Sequence, residues 1–435
     1  MGCDMVVALG PATVNRSTIF GLNSHRPAQE LQNIVLNSGA RHSPGEMVRV
    51  QHMQLSQTKR TFTTLGCQPE NCWGYLHGIN EHHVAIGCSN WGSLVKSKMQ
   101  GLLGTDLVRL ALERTDSARH AVELLTSLIT RHGQGRFAGF PSATEEDHVF
   151  MVADPREAFT VEAAGKYWAL QQILEIRASG DVSVIRQDWN RISPGLAAHA
   201  IDNGWWMADG SKLDFAGSLN TDPTGRASAL RRWGRLTYMM ESQNGAIDNA
   251  FLRQVLSDHY ETTPYEVDPL HGPMNPTPLC RHDFGRSNLA TSASFIVELV
   301  DAPDGIAIAW CAFGPPCISL YFPLILAEGA LPTAFSEDSV EFRYQNMWNA
   351  WAQLREYMGF DRDCWKMVRE RLAWLQSRLD QETDDFLQEV TRLRREGGLC
   401  DVPRLAGLLM ENHLEQFDAV LHGILGPAEP LVASA

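Results

Sequence analysis

The sequence of 435 residues has no excess of basic side chains and no cysteine pair at metal-binding spacing. Its 37 Lys and Arg residues stand against 51 Asp and Glu residues, which gives a formal net charge of −14. A negative charge of this size repels nucleic-acid phosphates and anionic lipid, so we expect the protein to bind neither nucleic acid nor a membrane surface. Intrinsic disorder is excluded, because 44% of the residues are hydrophobic and 12 are tryptophan.

Cysteine usage and apolar runs predict the compartment. The nine cysteines are scattered and form no C-x-x-C pair, which fits a reducing environment, so we expect a cytoplasmic protein. The apolar run at Met5–Leu9 is too short for a secretory signal. Residues 305–327 carry no charge, but Pro315, Pro316 and Pro323 interrupt them. We interpret this stretch as two buried strands around a turn, not as a membrane span.

The order of periodic segments predicts strands, then helices, then strands, then a helical tail. Helical spacing between Thr105 and Arg131 is broken at Ser117, which is placed to cap a second helix that Gly133 ends. Three-to-four spacing of apolar residues predicts further helices from about Ser336 to Leu425. The predicted strands are Cys3–Leu9 and Ser17–Leu22 as a hairpin, 148–152 and 158–162 as a second hairpin, then 291–299 and 305–313.

Motifs for metal, nucleotide or serine-hydrolase chemistry are missing from the sequence. His82 and His83 are adjacent, so their side chains diverge, and no H-E-x-x-H follows. The glycines at Gly133 and Gly135 follow a helix and have the wrong spacing for a dinucleotide site. No G-x-S-x-G occurs. We therefore expect no metal and no organic cofactor.

Cys3 is the remaining candidate nucleophile. A thiol on a terminal residue has its own α-amine within reach as a proton acceptor. The reference pKa values, about 7.7 to 8.0 for the amine and about 8.5 for the thiol, make that proton transfer nearly thermoneutral. The alternative is a buried cysteine that only packs in an apolar strand.

An ordered series of motifs distinguishes these alternatives. Together the motifs resemble the secernins and their dipeptidase relatives, which are cysteine N-terminal-nucleophile hydrolases. The resemblance runs to about residue 330, and the helical tail agrees only loosely. The motifs are Cys3–Thr13, Phe20–Pro27, Trp73-Gly74, Gly78–His82, Asp106–Arg114, Gly133–Gly135, Ala153-Asp154, Glu162–Trp168, Gly204–Trp206 and Phe313–Ser319.

The resemblance implies an α+β fold, a four-layer αββα sandwich. The hydrolase-like domain would span 3–335, and a helical C-terminal segment, 336–426, would pack on it. The implied chemistry is hydrolysis of a linear amide in a small peptide or N-acyl amino acid. Cys3, exposed by removal of Met1 and Gly2, would attack the carbonyl and form a thioester.

The resemblance also implies site residues, and the chain departs from it at several positions, among them Cys88-Ser89, where an Asn-Glu pair is expected, and Ala163, where Thr is usual. Leu22 stands where relatives carry Lys or Arg, and His25 stands where they carry the Asp that orients the nucleophile's ammonium. A cysteine–histidine pair between Cys3 and His25 is one consequence, and a weaker enzyme is the other. The predicted catalytic residues are Cys3, Asn23 and His25. The predicted oxyanion or substrate residues are Asn80, Asn90, Glu162, Trp168 and Arg226, with a structural turn role as the alternative for Asn80 and Asn90.

Two other functions stay open at this point. An acyltransferase or tailoring amidase on the same fold would let an amine intercept the thioester. A secernin-like pseudoenzyme would act as a binding protein, which the substitutions at positions 22 and 25 would permit. The sequence leaves the oligomeric state open, with a homo-oligomer among the options.

Overall fold

The computed structural model describes residues 2–95, 101–135, 147–221, 227–271, 277–282, 289–301, 305–336, 342–396 and 401–426. Within these ranges, every helix is too short or too polar to cross a lipid bilayer.

The strand that carries Cys3 lies inside an antiparallel sheet. Within the described ranges this first sheet has six strands, ordered β14-β1-β2-β16-β17-β18. The predicted N-terminal hairpin is confirmed as β1 and β2, which pair with Cys3 opposite Ser24. The strands are β1 (Gly2–Ala8), β2 (Thr18–Pro27), β14 (Ile176–Ser179), β16 (Leu289–Leu299), β17 (Ile308–Phe313) and β18 (Phe322–Ile325).

A second antiparallel sheet faces the first. Its eight strands, counted over the described residues, are ordered β15-β13-β12-β11-β10-β9-β8-β3. The predicted second hairpin is confirmed as β11 and β12. The strands are β3 (Gln32–Asn37), β8 (Thr64–Pro69), β9 (His77–Asn80), β10 (Ala85–Trp91), β11 (Asp147–Ala153), β12 (Ala158–Ala164), β13 (Tyr167–Ile173) and β15 (Arg191–Ile192). Two short ribbons pair β4 (Ala40–Arg41) with β7 (Arg60–Thr61) and β5 (Met47–Arg49) with β6 (Gln54–Ser56).

Helices cover the outer face of each sheet. The helices α1 (Gly104–Arg114) and α2 (Ala118–His132) share an apolar cluster with the outer face of the second sheet. The helices α5 (Ala227–Ser242) and α6 (Asn249–Leu256) do the same on the first sheet. The largest cluster fills the space between the sheets. The predicted four-layer αββα sandwich is therefore confirmed. Two short helices, α3 (Leu196–Asp202) and α4 (Phe215–Leu219), lie between these elements in the chain.

Local signals set the limits of the α1–α2 pair, as the sequence predicts. The hydroxyl of Ser117 accepts a hydrogen bond from the amide of His120, so Ser117 is the N-cap of α2. Gly133 ends the helix with a φ of +69°, a conformation that side-chain-bearing residues rarely adopt.

The C-terminal region is helical and shares the central core. It forms α7 (Met347–Met358), α8 (Arg362–Arg395) and α9 (Val402–Leu425). Trp351 of α7 packs against Phe417 of α9 with ring centroids 5.3 Å apart, and both belong to the cluster between the sheets. The division at residues 335 and 336 stays a prediction.

Candidate functional site

The side chain of Cys3 points into the space between the two sheets. Directly opposed residues of antiparallel strands share a face, and neighbouring residues alternate between faces. Cys3 therefore shares its face with Ser24, its partner on β2. The thiol is 2% exposed. Asp4 and Asn23 form the next pair, so they point to the opposite face, toward α5 and α6.

A chain of polar groups begins at the backbone nitrogen of Cys3. This nitrogen donates to the hydroxyl of Ser89 on β10 at 2.8 Å. The same hydroxyl donates to Oδ1 of Asp181, which follows β14, at 3.0 Å. The nitrogen that would become the α-amine of a terminal Cys3 therefore lies one hydroxyl away from a carboxylate.

Two buried arginines hold Asp181 in place. Arg232 of α5 donates to Oδ2 of Asp181 at 2.7 Å, and Arg281 donates to the same oxygen at 3.4 Å. Arg232 also donates through Nε to Asp4 at 2.9 Å and through a terminal nitrogen to Ser228 at 3.2 Å. Burial alone would raise the pKa of Asp181, but Arg232 and Arg281 outweigh it and hold that pKa well below its usual range. The site thus keeps an ionised carboxylate at the start of β1.

Asp181 also explains why glycine precedes Cys3. A Cβ atom built on Gly2 would lie 1.7 Å from Oδ1 of Asp181, well inside the contact distance of the two atoms. A larger residue at position 2 would displace the carboxylate. Gly2 and Asp181 are therefore matched in shape.

The Cys3 thiol is not activated while Gly2 is attached. Burial raises its pKa to about 12, and the negative charge of Asp181 adds to this rise. An amide nitrogen cannot accept the thiol proton, whereas a terminal amine can. In this form of the chain the nitrogen of Cys3 is an amide and cannot act as a base.

No family model matches the chain. Among solved structures, it is similar to conjugated bile acid hydrolase from Clostridium perfringens, with 14% identity and a TM-score of 0.40 over 70% of this chain and 88% of that one. It is also similar to penicillin V acylase from Agrobacterium tumefaciens, with 14% identity and a TM-score of 0.34 over 75% and 86% of the two chains. A third is the Caenorhabditis elegans ortholog of N-acylethanolamine-hydrolyzing acid amidase, with 12% identity and a TM-score of 0.29 over 69% and 94%. Similarities of this size carry no information on a reaction, which depends on the residues of the site itself.

The structure does not bring His25 to the Cys3 thiol. His25 lies opposite Gly2 in the strand register, so its side chain points to the face away from the thiol. Its Nε2 lies 2.8 Å from Oδ2 of Asp4, and its Nδ1 lies 3.3 Å from the hydroxyl of Thr291. Of the two consequences considered for His25, the structure does not form the cysteine–histidine pair. His25 instead completes the buried hydrogen bonds of Asp4.

This position of His25 predicts an effect of pH on stability. Burial lowers the pKa of His25 to about 4 from 6.5, and the charge of Arg281 contributes to the fall. The unfolded chain therefore binds a proton at His25 more readily, and stability is lost as the pH falls between these two values. The contribution of His25 to the free energy of unfolding should decrease by about 3 kcal/mol over this interval.

Urea unfolding of the wild type and of His25→Gln across that pH interval measures the effect. Glutamine keeps an N–H donor for Asp4 but cannot titrate, so the variant should show a shallower pH dependence. His120→Gln removes one exposed imidazole and is the control. An equal pH dependence of the free energy of unfolding in the wild type and His25→Gln would contradict the lowered pKa of His25.

The amides of Asn23 and Asn80 are occupied by structural hydrogen bonds. Asn23 donates to the carbonyls of Leu256 and Leu279 at 2.7 and 3.0 Å, on the face away from the thiol. Asn80 donates to the carbonyls of Leu112 and Thr115 at 2.8 and 2.7 Å, and its oxygen accepts two backbone amides of the turn before β10. Asn80 therefore has the structural turn role, and its NH₂ group is not available to an oxyanion.

Two of the remaining predicted residues face the outer helices. Asn90 follows Ser89 on β10, so its side chain points away from the face that contacts Cys3. Trp168 donates from its indole to the hydroxyl of Thr130 on α2 at 2.9 Å. Neither side chain is on the Cys3 side of the second sheet. Arg226 lies outside the described residues, and its role stays a prediction.

Glu162 faces the space between the sheets but supports a loop. Its carboxylate accepts the hydroxyl of Ser183 and the amides of Val184 and Ile185, the latter two at 2.9 and 3.1 Å. Burial raises its pKa. These bonds fix the segment that follows Asp181, so Glu162 acts on the site by positioning this segment.

Sequence reasoning missed Asp181, Arg232 and His77. His77 of β9 lies between the sheets, with its ring 4.8 Å from that of Phe295. Neither ring nitrogen has a hydrogen-bond partner among the described residues. Burial lowers its pKa to about 3, so the imidazole is neutral. A buried imidazole without a partner is unusual, and His77 is one of the buried polar groups of this layer that have no partner among the described residues.

Proposed function

We propose that the protein is a cysteine amide hydrolase of dipeptidase type, which acts on linear C–N amide bonds with Cys3 as nucleophile. The observation that carries the proposal is the path from the Cys3 nitrogen through Ser89 to Asp181, held by Arg232 and Arg281. Cleavage after Gly2 turns that nitrogen into an α-amine beside the Ser89 hydroxyl.

The energetic cost of this network supports a function for it. Burying ions costs several kcal/mol each unless they are paired, and apolar residues of similar volume are often as stable. Perturbed, buried charges next to a candidate nucleophile are typical of active sites. The carboxylate that relatives are expected to carry at position 25 is supplied here by Asp181, from a different part of the chain. The presence of this carboxylate near the nitrogen of Cys3 favours an enzyme over a pseudoenzyme.

The reaction needs four proton transfers, and the α-amine of Cys3 can take part in all of them. The α-amine of Cys3 takes the thiol proton, and the thiolate attacks the carbonyl carbon of the substrate. The resulting ammonium gives its proton to the leaving nitrogen, and the C–N bond breaks to leave a thioester. Water then attacks the thioester, and the amine again accepts and returns the proton, so that acid and free Cys3 are restored. Asp181 positions the amine through Ser89.

Substrate class is proposed from the sequence resemblance. The ordered motifs from Cys3 to Ser319 resemble the secernins and their dipeptidase relatives, which favours dipeptides and N-acyl amino acids as substrates. No metal or organic cofactor takes part in the proposed steps.

Intact mass and activity of the same preparations test the proposal. We expect hydrolysis of a dipeptide and N-acyl amino-acid panel only by chains whose mass begins at Cys3. A variant without Gly2, in which removal of Met1 alone exposes Cys3, should be active at once. A Gly2→Val variant should stay inactive for two reasons. The valine side chain collides with Asp181, and while valine is attached the nitrogen of Cys3 remains an amide.

Two outcomes would overturn the proposal. Turnover by protein that begins at Gly2 would exclude the α-amine as base. A chain that begins at Cys3 and is inert on the whole panel would favour the binding-protein alternative.

A further inference from the structure

Four potential metal ligands meet at one point outside the proposed active site. They are His259, Cys280, His282 and Cys317, and their ligand atoms all lie within 4.8 Å of one another. Nε2 of His259 is 3.2 Å from Nε2 of His282. That same nitrogen of His282 is 3.6 Å from Sγ of Cys280 and 3.1 Å from Sγ of Cys317.

These separations match a tetrahedral zinc centre. Zinc–sulfur bonds of about 2.3 Å and zinc–nitrogen bonds of about 2.0 to 2.1 Å place ligand nitrogens about 3.3 Å apart in a tetrahedron. The same bonds place a sulfur and a nitrogen about 3.5 Å apart. The observed nitrogen–nitrogen and sulfur–nitrogen distances lie within a few tenths of an ångström of these values.

A second observation is the support behind His259. Its other ring nitrogen, Nδ1, lies 3.0 Å from Oε1 of Glu261, and its backbone amide donates to Oε2 at 2.7 Å. A histidine that binds a metal through one nitrogen commonly donates from the other to a carboxylate, which fixes the ring and its tautomer. Glu261 orients Nε2 of His259 toward the other three ligands.

We propose that His259, Cys280, His282 and Cys317 bind one Zn²⁺ ion. On binding, each thiol releases its proton to solvent, so two thiolates and two neutral imidazoles balance the charge of the ion. A neutral centre is compatible with burial, and three of the four ligands are buried. Four protein ligands leave no open position, which is the pattern of structural zinc sites. Cys317, the half-buried ligand, is the one nearest solvent.

The ion would join three segments that are remote in sequence. They are the loop after α6, the segment 277–282, and the turn before β18 at Pro316–Ile318. Arg281 lies between two of the ligands and points the other way, to Asp181. The carbonyl of Leu279 holds Asn23 of β2. The zinc centre would therefore fix the segment that carries Arg281, one of the two arginines that bind Asp181. The zinc proposal does not depend on whether Cys3 is a nucleophile.

Metal analysis of the full-length protein tests this proposal. Protein purified under reducing conditions and dialysed against zinc-free buffer should retain about one zinc per chain by elemental mass spectrometry. Replacement by Co²⁺ should give the visible bands of a tetrahedral ion and thiolate-to-cobalt charge-transfer absorption. Cys317→Ser should lose the retained zinc, and with excess Co²⁺ its charge-transfer absorption should fall by the contribution of one thiolate.

The matched control is Cys364→Ser, which changes a half-buried cysteine on α8 outside the cluster. This variant should keep both the zinc and the cobalt spectrum. Wild-type protein that is folded but retains no zinc would overturn the proposal, as would a Cys280–Cys317 disulfide under the same reducing conditions. Equal zinc content in Cys317→Ser and Cys364→Ser would also overturn it.

Discussion

Replacing Cys3 by alanine is expected to lower kcat/KM for any hydrolysed amide by about 10⁴-fold or more. Removal of the nucleophile abolishes nearly all catalysis, because the α-amine then has no thiol to deprotonate and no thioester can form. The fold should survive. The change removes one sulfur atom from a strand and should cost about 1 kcal/mol of stability.

Cys67→Ala is the control for this experiment. Cys67 lies on β8 in the same core between the sheets and is as buried as Cys3, so the variant loses the same atom from the same layer. We expect it to lose similar stability and to keep its activity. Comparable losses of activity in both variants would show that packing, not nucleophilic attack, explains the effect. An active Cys3→Ala protein would exclude the proposed mechanism.

Replacing Arg232 by methionine is expected to lower the free energy of unfolding by about 3 to 5 kcal/mol. Removing one partner of a buried ion pair leaves the other charges uncompensated, and Arg232 serves both Asp4 and Asp181. Methionine has a similar length, so the loss reports on charge more than on volume. Urea unfolding at neutral pH measures it.

Lowering the pH should reduce this difference between Arg232→Met and the wild type. Arg232 holds the pKa values of Asp4 and Asp181 down in the wild type, so the wild type loses that stabilisation as the pH falls through them. In the variant, these carboxylates take up protons more readily. Arg231→Met, at the exposed neighbouring position on α5, should leave the stability nearly unchanged. A loss below 1 kcal/mol in Arg232→Met would contradict the description of the network.

Much of the fold follows from local patterns. The N-terminal hairpin, the break at Ser117 and the end of α2 at Gly133 depend on residues within a few positions of one another. Side-chain capping and positive φ values act over that range, and so their signals are readable from the sequence. The two strands around Pro315 and Pro316 follow in the same way, because proline in the interior of an apolar run disfavours a continuous helix.

The site could be predicted only in part. Cys3 is marked by its position near the start and by the motifs around it. The role of Asp181 has no local signal, because the residue follows a short strand in a turn-like segment. Asn80 carried two interpretations, and its four hydrogen bonds, two to carbonyls at the end of α1 and two from amides of the β9–β10 turn, decide for the structural one.

The sequence by itself determined the class of fold, the strand that carries Cys3 and the candidate nucleophile. The tertiary structure alone decided which groups surround that nucleophile. Register places His25 across from Gly2 and on the face away from the thiol, and sheet packing brings Ser89 and Asp181 to the Cys3 nitrogen. The proposed zinc ligands likewise come from three segments joined only by folding. Local patterns encode alternation and helix limits, whereas contacts between residues far apart in sequence depend on how the layers pack.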